Sequence, residues 1–265
     1  MRWRQRFTAL VAVSLLLLLT CRENIESHVL VSQPFNRKKV LAFSLYGTAE
    51  RYSRGAYQNA QLIRWVYPGW FMRIYHDDSV EKDLLDQLQF IPEVELVNAT
   101  VFRLNPMNWR FLPAVDDSVE VFCSRDIDAR LTLREYSAVS EWLQSGFQAH
   151  MIRDHPGHRS HDMLGGMWCA KFGTIPNLLG LLAAYPNGTH FNADQEFLKD
   201  MVWPHIRTRT LQHASFGCEL WPDTRPIPMP RVGFEHIGAV FVDGQIRAED
   251  ASQLLEAIAR GEECV

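Results

Sequence analysis

Short apolar runs alternate along the chain with longer stretches in which apolar residues recur at helical spacing. The run at residues 40–45 is apolar apart from Ser44 and ends at Tyr46-Gly47, a pattern typical of a parallel strand buried on both faces. Similar strand patterns occupy residues 71–75, 94–97 and 119–123. Helical patterns separate these runs at residues 55–67 and 79–89, the second with Ser79 as its expected N-cap.

The alternation continues, less regularly, in the second half of the chain. A helix is predicted at residues 131–145, with Thr132 as its cap and Glu135 three positions later. Further strands are expected at residues 148–153 and 167–172, and further helices at 176–185, from Asn192 or Asp194, and at 250–260. Strands that alternate with helices predict an α/β fold, a single domain with a doubly wound, mainly parallel sheet flanked by helices.

The N-terminus carries a targeting pattern. Three arginines at positions 2, 4 and 6 precede an uncharged run at residues 7–21. As a helix this run spans about 22 Å, against roughly 30 Å of bilayer hydrocarbon. Residues 1–22 are therefore predicted to be a signal anchor or a cleaved signal peptide, residues 23–39 a stem, and residues 40–265 the functional domain. This N-terminal pattern predicts a protein of the secretory pathway, either on the lumenal face of the Golgi or ER as a type II membrane protein or secreted from the cell.

Cysteines and sequons fit that compartment. Four cysteines lie in the body of the chain (Cys123, Cys169, Cys218 and Cys264), enough for two disulfides whose pairing the sequence leaves open. Two N-glycosylation triplets begin at Asn98 and Asn187. With 47% hydrophobic residues the chain can build a large core, and its net charge of −4 gives no footprint for nucleic acid.

Two aspartates carry the clearest chemical signal. Asp126 and Asp128 follow the strand at residues 119–123 and are separated by one residue. Parallel sheets bind ligands beyond the carboxyl ends of their strands, which is where this pair falls. Carboxylate oxygens suit Mn²⁺ or Mg²⁺, and such a cation neutralises charge on a departing diphosphate. The pair therefore predicts a metal-diphosphate site.

The motifs around this pair resemble the D-x-D region of nucleotide-sugar glycosyltransferases with the GT-A fold. A little-described family of glycosyltransferase-like proteins is the nearest resemblance, over residues 40 to about 242. The shared segments are Ser44–Gly47, Tyr67–Trp70, Trp109–Phe111, Ser124–Arg130, Arg153–Pro156, Gly165–Trp168 and Asp194–Leu198. The resemblance implies a GT-A-like domain that moves a hexose from a nucleotide diphosphate sugar, expected to be UDP-linked, to a glycan or glycoprotein acceptor.

The resemblance also assigns roles to residues of this chain. Asp126 and Asp128 would bind the metal, with His213 completing its shell and His236 as the alternative. Asp194 and Gln195 would be catalytic, with Asp194 binding the sugar or acting as a base; its alternative role is a helix cap. The donor would be bound by Ser44, Tyr46, Gly47, Arg110, Arg125, Asp126, Asp154, His155, Gly165 and Gly166. Arg51, Arg130 and Arg134 are further candidates for diphosphate contacts.

Two other functions remain open at this point. Three histidines and two aspartates at residues 153–162 could form a hydrolytic zinc site on His155, His158 and His161, although Pro156-Gly157 interrupts any helix that would align them. A protein that keeps the transferase fold but only binds glycans is the other alternative. The chain has no Gly-x-Ser-x-Gly or Walker-type loop, which argues against a serine hydrolase or a P-loop enzyme.

Overall fold

A central sheet of seven strands organises the domain. This computed structural model describes residues 37–186, 188, 190 and 192–264. The strands are β1 (Lys38–Leu45), β2 (Phe71–His76), β3 (Val94–Asn98), β4 (Val119–Ser124), β5 (Ala149–Arg153), β6 (Trp168–Lys171) and β7 (Thr210–Ala214). Their order is β3-β2-β1-β4-β6-β5-β7, and only β6 runs antiparallel to its neighbours β4 and β5. The predicted α/β class with a mainly parallel sheet is confirmed.

Helices connect the strands and cover the sheet. The α-helices are α1 (Glu50–Val66), α2 (Lys82–Leu88), α3 (Leu133–Gln144), α4 (Leu178–Ala184), α5 (Ala193–Phe197), α6 (Trp203–Ile206) and α7 (Ala248–Ala259). A π-helix, Leu198–Val202, joins α5 to α6. The 3₁₀ segments are Thr100–Phe102, Pro106–Val115, Pro156–His158 and Arg207–Arg209, and a hairpin of β8 (Phe241–Val242) and β9 (Gln245–Ile246) precedes α7.

The core lies on both faces of the sheet. Because successive strand residues point to opposite faces, Val40 and Ala42 of β1 pack into one apolar cluster while Leu41 and Phe43 pack into the other. The first cluster includes the 3₁₀ segment Pro106–Val115, and the second includes α1 and α3. Burial on both faces explains why the strands read as continuous apolar runs.

Helix boundaries agree with the sequence prediction except at two starts. Helix α1 begins at Glu50, earlier than the predicted residue 55. Helix α2 begins at Lys82, so the prediction of Ser79 as its cap was wrong. The Ser79 hydroxyl instead accepts a hydrogen bond from the Gly47 backbone N–H at 2.7 Å, and the Ser79 backbone N–H bonds to Asp77 at 3.0 Å. A turn that links the ends of β1 and β2 thus takes the place of a cap.

The cysteines form two disulfides, Cys123–Cys169 and Cys218–Cys264. The first joins directly opposed residues of β4 and β6. Of the sequons, Asn98 ends β3 with an exposed side chain, while Asn187 and Thr189 lie outside the described residues. The predicted anchor and most of the stem, up to residue 36, also lie outside them, whereas residues 38 and 39 belong to β1. None of the described helices is both long and apolar enough to cross a bilayer.

The cap of α3 provides a test of the local sequence signal. The Thr132 hydroxyl accepts a hydrogen bond from the Glu135 backbone N–H at 3.1 Å, as predicted. Replacing Thr132 with Ala removes this bond, and we expect the free energy of unfolding to fall by about 1 kcal/mol in urea titrations. Thr132→Ser keeps the hydroxyl and is the control. Equal stability of the Ala and Ser variants would contradict a capping role.

Candidate functional site

A cavity of about 510 Å³ opens at the carboxyl ends of β1 and β4. Ser44 and Tyr46 line it from the end of β1, and Asp126 and Asp128 line it from the loop after β4. Since β6 runs antiparallel, the residues before it, Gly165 and Gly166, reach the same edge. The wall is completed by His155 after β5, Asp194 and Gln195 of α5, His236, and Arg247 and Asp250 at α7.

The loop that carries the two aspartates is fixed by helix α1. The Asn59 side chain is fully buried and donates hydrogen bonds to the backbone carbonyls of Ile127 at 3.3 Å and Ala129 at 2.9 Å. It also accepts a bond from the Leu131 N–H at 3.1 Å. One turn earlier, a Cβ at Gly55 would overlap with the Ile127 carbonyl oxygen. The helix therefore sets the backbone of residues 127–131, and with it the position of both carboxylates.

Arg110 is the central cation of the cavity. One arm of its guanidinium pairs with Asp126, and the other donates to Asp194 Oδ2 at 2.6 Å. Its backbone N–H donates to the Ser44 hydroxyl at 3.2 Å, which connects it to the end of β1. Burial alone would lower the pKa of Arg110, but the two carboxylates raise it above its ordinary value. Arg110 was predicted to contact the donor diphosphate; in the structure it joins two acidic residues instead.

Gly165 and Gly166 provide the space for this ion-pair network. A Cβ at Gly165 would overlap with the carboxylate of Asp194 and the guanidinium of Arg110. A Cβ at Gly166 would overlap with the carboxylate of Asp126. Both glycines were predicted to bind the donor. In the structure, the space that their missing side chains leave is occupied by the protein's own charged groups.

Negative charge exceeds positive charge around the aspartate pair. Four carboxylates line the cavity, those of Asp126, Asp128, Asp194 and Asp250, against three guanidinium groups, those of Arg51, Arg110 and Arg247. Arg51 lies 3.7 Å from Asp128 and is exposed, so it compensates little. Burial, followed by the nearby charge of Asp126, raises the pKa of Asp128. The free energy of this arrangement would be lowered by a bound cation.

Gln195 presents an unused acceptor near the acidic cluster. Its amide nitrogen donates to the Asn192 side chain at 2.7 Å, while its buried Oε1 has no partner among the described residues. Asn192 holds the left-handed backbone conformation, φ 71°, that begins α5. Asp194 is not the cap of this helix, because the N-cap position is Asn192. Asp194 is buried and directed to Arg110.

Three histidines that lie together form another part of the cavity wall. The ring centroids of His155 and His236 are 4.4 Å apart, and His158 lies 5.5 Å from His155 and 6.2 Å from His236. Burial lowers the pKa of all three, that of His236 to about 4. These imidazoles are therefore neutral at pH 7. Within the described residues, no three His, Cys, Asp or Glu side chains converge to hold a metal ion.

Asp154 does not face the cavity as predicted. Its carboxylate is fully buried and accepts two bonds from Arg134, at 2.8 and 2.9 Å, and one from Arg231 at 2.7 Å. It also accepts the Ile237 N–H at 3.0 Å. Burial would raise its pKa, but the two guanidinium groups lower it. Asp154 thus anchors the segment that brings His236 to the cavity, and Arg134 is committed to this anchor.

His213 lies away from the aspartate pair, so the structure does not support it as the third metal ligand. It sits fully buried on β7, where its Nδ1 meets His150 Nε2 at 2.7 Å and its Nε2 meets Glu141 at 3.2 Å. A β7 side chain at this register points to the face covered by α3, whereas the cavity opens at the end of the sheet. His236, the alternative candidate, does line the cavity.

Three other predicted contacts have structural partners. Arg125 is buried behind the cavity, where it bonds to Glu135 at 2.5 Å and to the Ser124 and Trp168 carbonyls. Gly47 follows the cavity wall with φ +73° and bonds to Ser79. Arg130 donates to Gln58 at 2.7 Å and to backbone carbonyls. Motif position alone did not separate these residues from those that reach the cavity.

Three residues of the site, on α1 and at α7, were not predicted from the sequence. Asn59 interrupts the apolar face formed by Ala56, Ala60 and Ile63, and a polar residue at that spacing was a readable signal. Asp250 and Arg247 carried no such signal, because their helix comes to the cavity through tertiary folding.

Solved structures with a similar fold include nucleotide-sugar enzymes. They are a mannosyltransferase from Pyrobaculum calidifontis in complex with GDP-Man and Mn²⁺ (13% identity, 66% of this chain and 54% of that chain, TM-score 0.46) and glucosyl-3-phosphoglycerate synthase from Mycobacterium tuberculosis with Mn²⁺ and UDP-glucose (12%, 67% and 69%, 0.43). Another is 4-diphosphocytidyl-2C-methyl-D-erythritol synthase from Anaerococcus prevotii DSM 20548 (9%, 68% and 87%, 0.43).

The similarity to the mannosyltransferase covers about half of that protein's length. No protein-family model matches the sequence, and no curated protein does. At these identities and TM-scores the solved structures resemble this chain in fold alone.

Gly166 allows a direct test of the cavity. Gly166→Ala places a methyl group against Asp126, so we expect the carboxylate to be displaced and Mn²⁺ affinity, measured by isothermal titration, to fall at least tenfold. The control is Gly146→Ala, since Gly146 is exposed with nothing near its added Cβ. Unchanged Mn²⁺ affinity in Gly166→Ala would separate this glycine from the metal site.

The buried histidine pair predicts acid sensitivity. Burial lowers the pKa of His150 and of His213 in the folded state, so the unfolded chain binds more protons below the ordinary value of about 6.5. Their contribution to stability is full above that pH and is lost as the pH falls below it. Urea titrations at pH 7.5, 6.5 and 5.5 should show a smaller loss in His150→Gln than in the exposed control His190→Gln. Equal losses would contradict the assignment.

Proposed function

We propose that this protein is a metal-dependent glycosyltransferase of the nucleotide-sugar type. It moves a hexose from a nucleoside diphosphate sugar, UDP-linked, to a hydroxyl group of a glycan or glycoprotein. The observation that carries the proposal is the convergence of Asp126 and Asp128 with Ser44 and Tyr46 on one cavity, at the carboxyl ends of adjacent parallel strands.

The donor set fits a hard divalent cation. Asp126 and Asp128 present carboxylate oxygens, only one of which is paired with Arg110. Mn²⁺ and Mg²⁺ prefer oxygen ligands and accept the remaining ones from phosphates and water. The excess negative charge and the raised pKa of Asp128 favour such an ion. When bound, the cation would supply charge neutralisation for the departing diphosphate.

Four residues of the chain would then have separate roles in binding and transfer of the sugar. Tyr46 is partly buried, makes an edge contact with Trp109 at 6.0 Å, and offers an aromatic face near the end of β1 for the base of the donor. Arg110 orients Asp126 and Asp194 with respect to each other through its planar fork. Gln195 lines the cavity, and its buried Oε1, which has no partner among the described residues, would accept a bond from a sugar hydroxyl if the side chain turned toward the cavity. Asp194, beside it, is the carboxylate that would contact the sugar or receive the acceptor proton.

The two disulfides and the exposed sequon residue Asn98 support a secretory location. Together with the basic and apolar N-terminal pattern, they favour a lumenal domain on a type II anchor. Interaction with the membrane would then occur through residues 1–22.

A glycan-binding protein without turnover is the second candidate. The observation that favours it is the pairing of Arg110 with Asp126, because this guanidinium already neutralises one carboxylate of the expected metal pair. Metal-dependent release of UDP from a UDP-sugar, even by slow hydrolysis, separates the two, since a binding protein releases none. The zinc hydrolase has no comparable support, since no set of three ligands converges in the described region.

The test is a donor screen on the full-length chain. With Mn²⁺ present, a bound nucleotide sugar should raise the thermal midpoint, since a ligand at 100 times its Kd adds about 2.7 kcal/mol to stability. Asp128→Asn should abolish both this shift and UDP release. Asp117→Asn, at an exposed position outside the cavity, should change neither.

The proposal is wrong if no nucleotide or nucleotide sugar shifts the wild-type midpoint with Mn²⁺. It is also wrong if Asp128→Asn releases UDP as fast as the wild type does.

A further inference from the structure

The part of the cavity wall that the histidines form offers hydrogen-bonding groups without charge. His155, His158 and His236 lie in ring contact there, and His155 and His236 are almost completely buried. Two carboxylate residues lie beside them in the described part of the chain, Asp250, whose carbonyl contacts His155, and Asp154, whose N–H contacts His158. Both carboxylates are already paired, Asp250 with Arg247 at 2.7 Å and Asp154 with Arg134 and Arg231.

Backbone partners fix the tautomer of each ring. His155 Nδ1 accepts the Gly157 N–H at 3.0 Å, so its proton is on Nε2, which donates to the Asp250 carbonyl at 3.0 Å. Both nitrogens of His155 are thus used. His158 Nδ1 accepts the Asp154 N–H at 3.4 Å, which leaves a protonated Nε2. His236 Nδ1 faces the Phe234 carbonyl at 3.4 Å and carries the proton, which leaves Nε2 as an acceptor.

The three rings therefore leave one donor and one acceptor without a protein partner among the residues that the structure describes. The donor is His158 Nε2–H and the acceptor is His236 Nε2, and both side chains line the cavity. Their ring centroids are 6.2 Å apart. A hydroxyl group both accepts and donates, so one hydroxyl or two neighbouring hydroxyls of a sugar ring match this pair.

Other ligand classes fit less well. A phosphate needs donors or positive charge, but the lone pair on His236 Nε2 would repel it and Arg247 is already paired with Asp250. Zinc needs several converging lone pairs. His155 and His158 have no free lone pair, which gives a physical reason why the three rings do not form a zinc site among themselves.

We propose that His158 and His236 form a subsite for an uncharged hexose, whose hydroxyl groups they bind by one donated and one accepted hydrogen bond. The inference rests on the proposed function, since it assigns the sugar-binding end of the same cavity. The hexose can belong to the donor or to the acceptor, and the chemistry of recognition is the same. Leu164 and Met167, which line the cavity beside these rings, provide apolar surface for the sugar ring.

The experiment compares binding with and without the sugar. Isothermal titration of the full-length chain with Mn²⁺ measures Kd for UDP and for UDP-glucose, UDP-galactose and UDP-N-acetylglucosamine. A second arm measures saturation-transfer NMR signals of the methyl glycosides of the same hexoses, with and without UDP and Mn²⁺. The variants are His236→Phe and His158→Phe, which keep an aromatic ring, and the control is His205→Gln at an exposed position on α6.

In either His→Phe variant we expect hexose affinity to fall about three- to tenfold, the loss of one hydrogen bond, while UDP–Mn²⁺ affinity stays within twofold. If the sugar belongs to the donor, the loss appears with UDP-sugars; if it belongs to the acceptor, it appears with methyl glycosides. Retained UDP–Mn²⁺ binding in a variant also shows that its cavity is folded.

Two results would overturn the subsite. Equal weakening of UDP–Mn²⁺ and of the sugars would assign the histidines to the diphosphate or its metal. Unchanged affinity for every sugar in both variants would leave the histidines without a role in recognition. Failure of the wild type to bind UDP–Mn²⁺ would instead contradict the proposed function, and the methyl glycosides without nucleotide then test the subsite alone.

Discussion

Mutual repulsion between carboxylates at the end of a buried sheet is the constraint on which this structure depends. Asp126, Asp128 and Asp194 lie on one cavity, where water screens their charges poorly. The protein keeps them together with the planar fork of Arg110, which pairs with two of them, and with glycines that leave room for the fork. Among the described residues, the third carboxylate has only the exposed Arg51 within ion-pair distance, and this residual negative charge is what a cation would compensate.

The same principle recurs outside the cavity. Asp154 is a buried anion held by Arg134 and Arg231, and Glu135 is a buried anion held by Arg125. Loss of one partner from such a pair leaves an uncompensated charge in a poorly solvated place, which costs several kcal/mol. Several motif residues are therefore explained by the support they give to the site, without contact with a ligand.

Local patterns predicted the parts of the fold that depend on neighbouring residues. The apolar runs predicted the bounds of β1 to β4 within a few positions because these strands are buried on both faces. Thr132 was correctly predicted as the N-cap of α3. The prediction of Ser79 as a helix cap was wrong because its hydroxyl accepts a hydrogen bond from Gly47, a residue 32 positions away that no local rule connects to it.

The site, too, was predictable only where residues close in sequence determine it. The spacing of Asp126 and Asp128 after a strand located the cavity, but it could not show that Arg110 would reach Asp126 and Asp194 rather than a phosphate. His213 was preferred to His236 as the third metal ligand, because the sequence does not show the sheet register that directs His213 toward α3. The contributions of Asn59 and Asp250 depend on packing between distant segments, which the sequence does not display.

The disulfide Cys218–Cys264 closes covalently the segment that brings His236, Arg247 and Asp250 to the cavity. The same segment supports the loop of the aspartates, because the Phe241 N–H donates a hydrogen bond to the Asp128 carbonyl at 3.0 Å. Since a cross-link restricts the conformations open to the segment that it closes, reducing conditions would loosen the histidine wall and the support of Asp128 together.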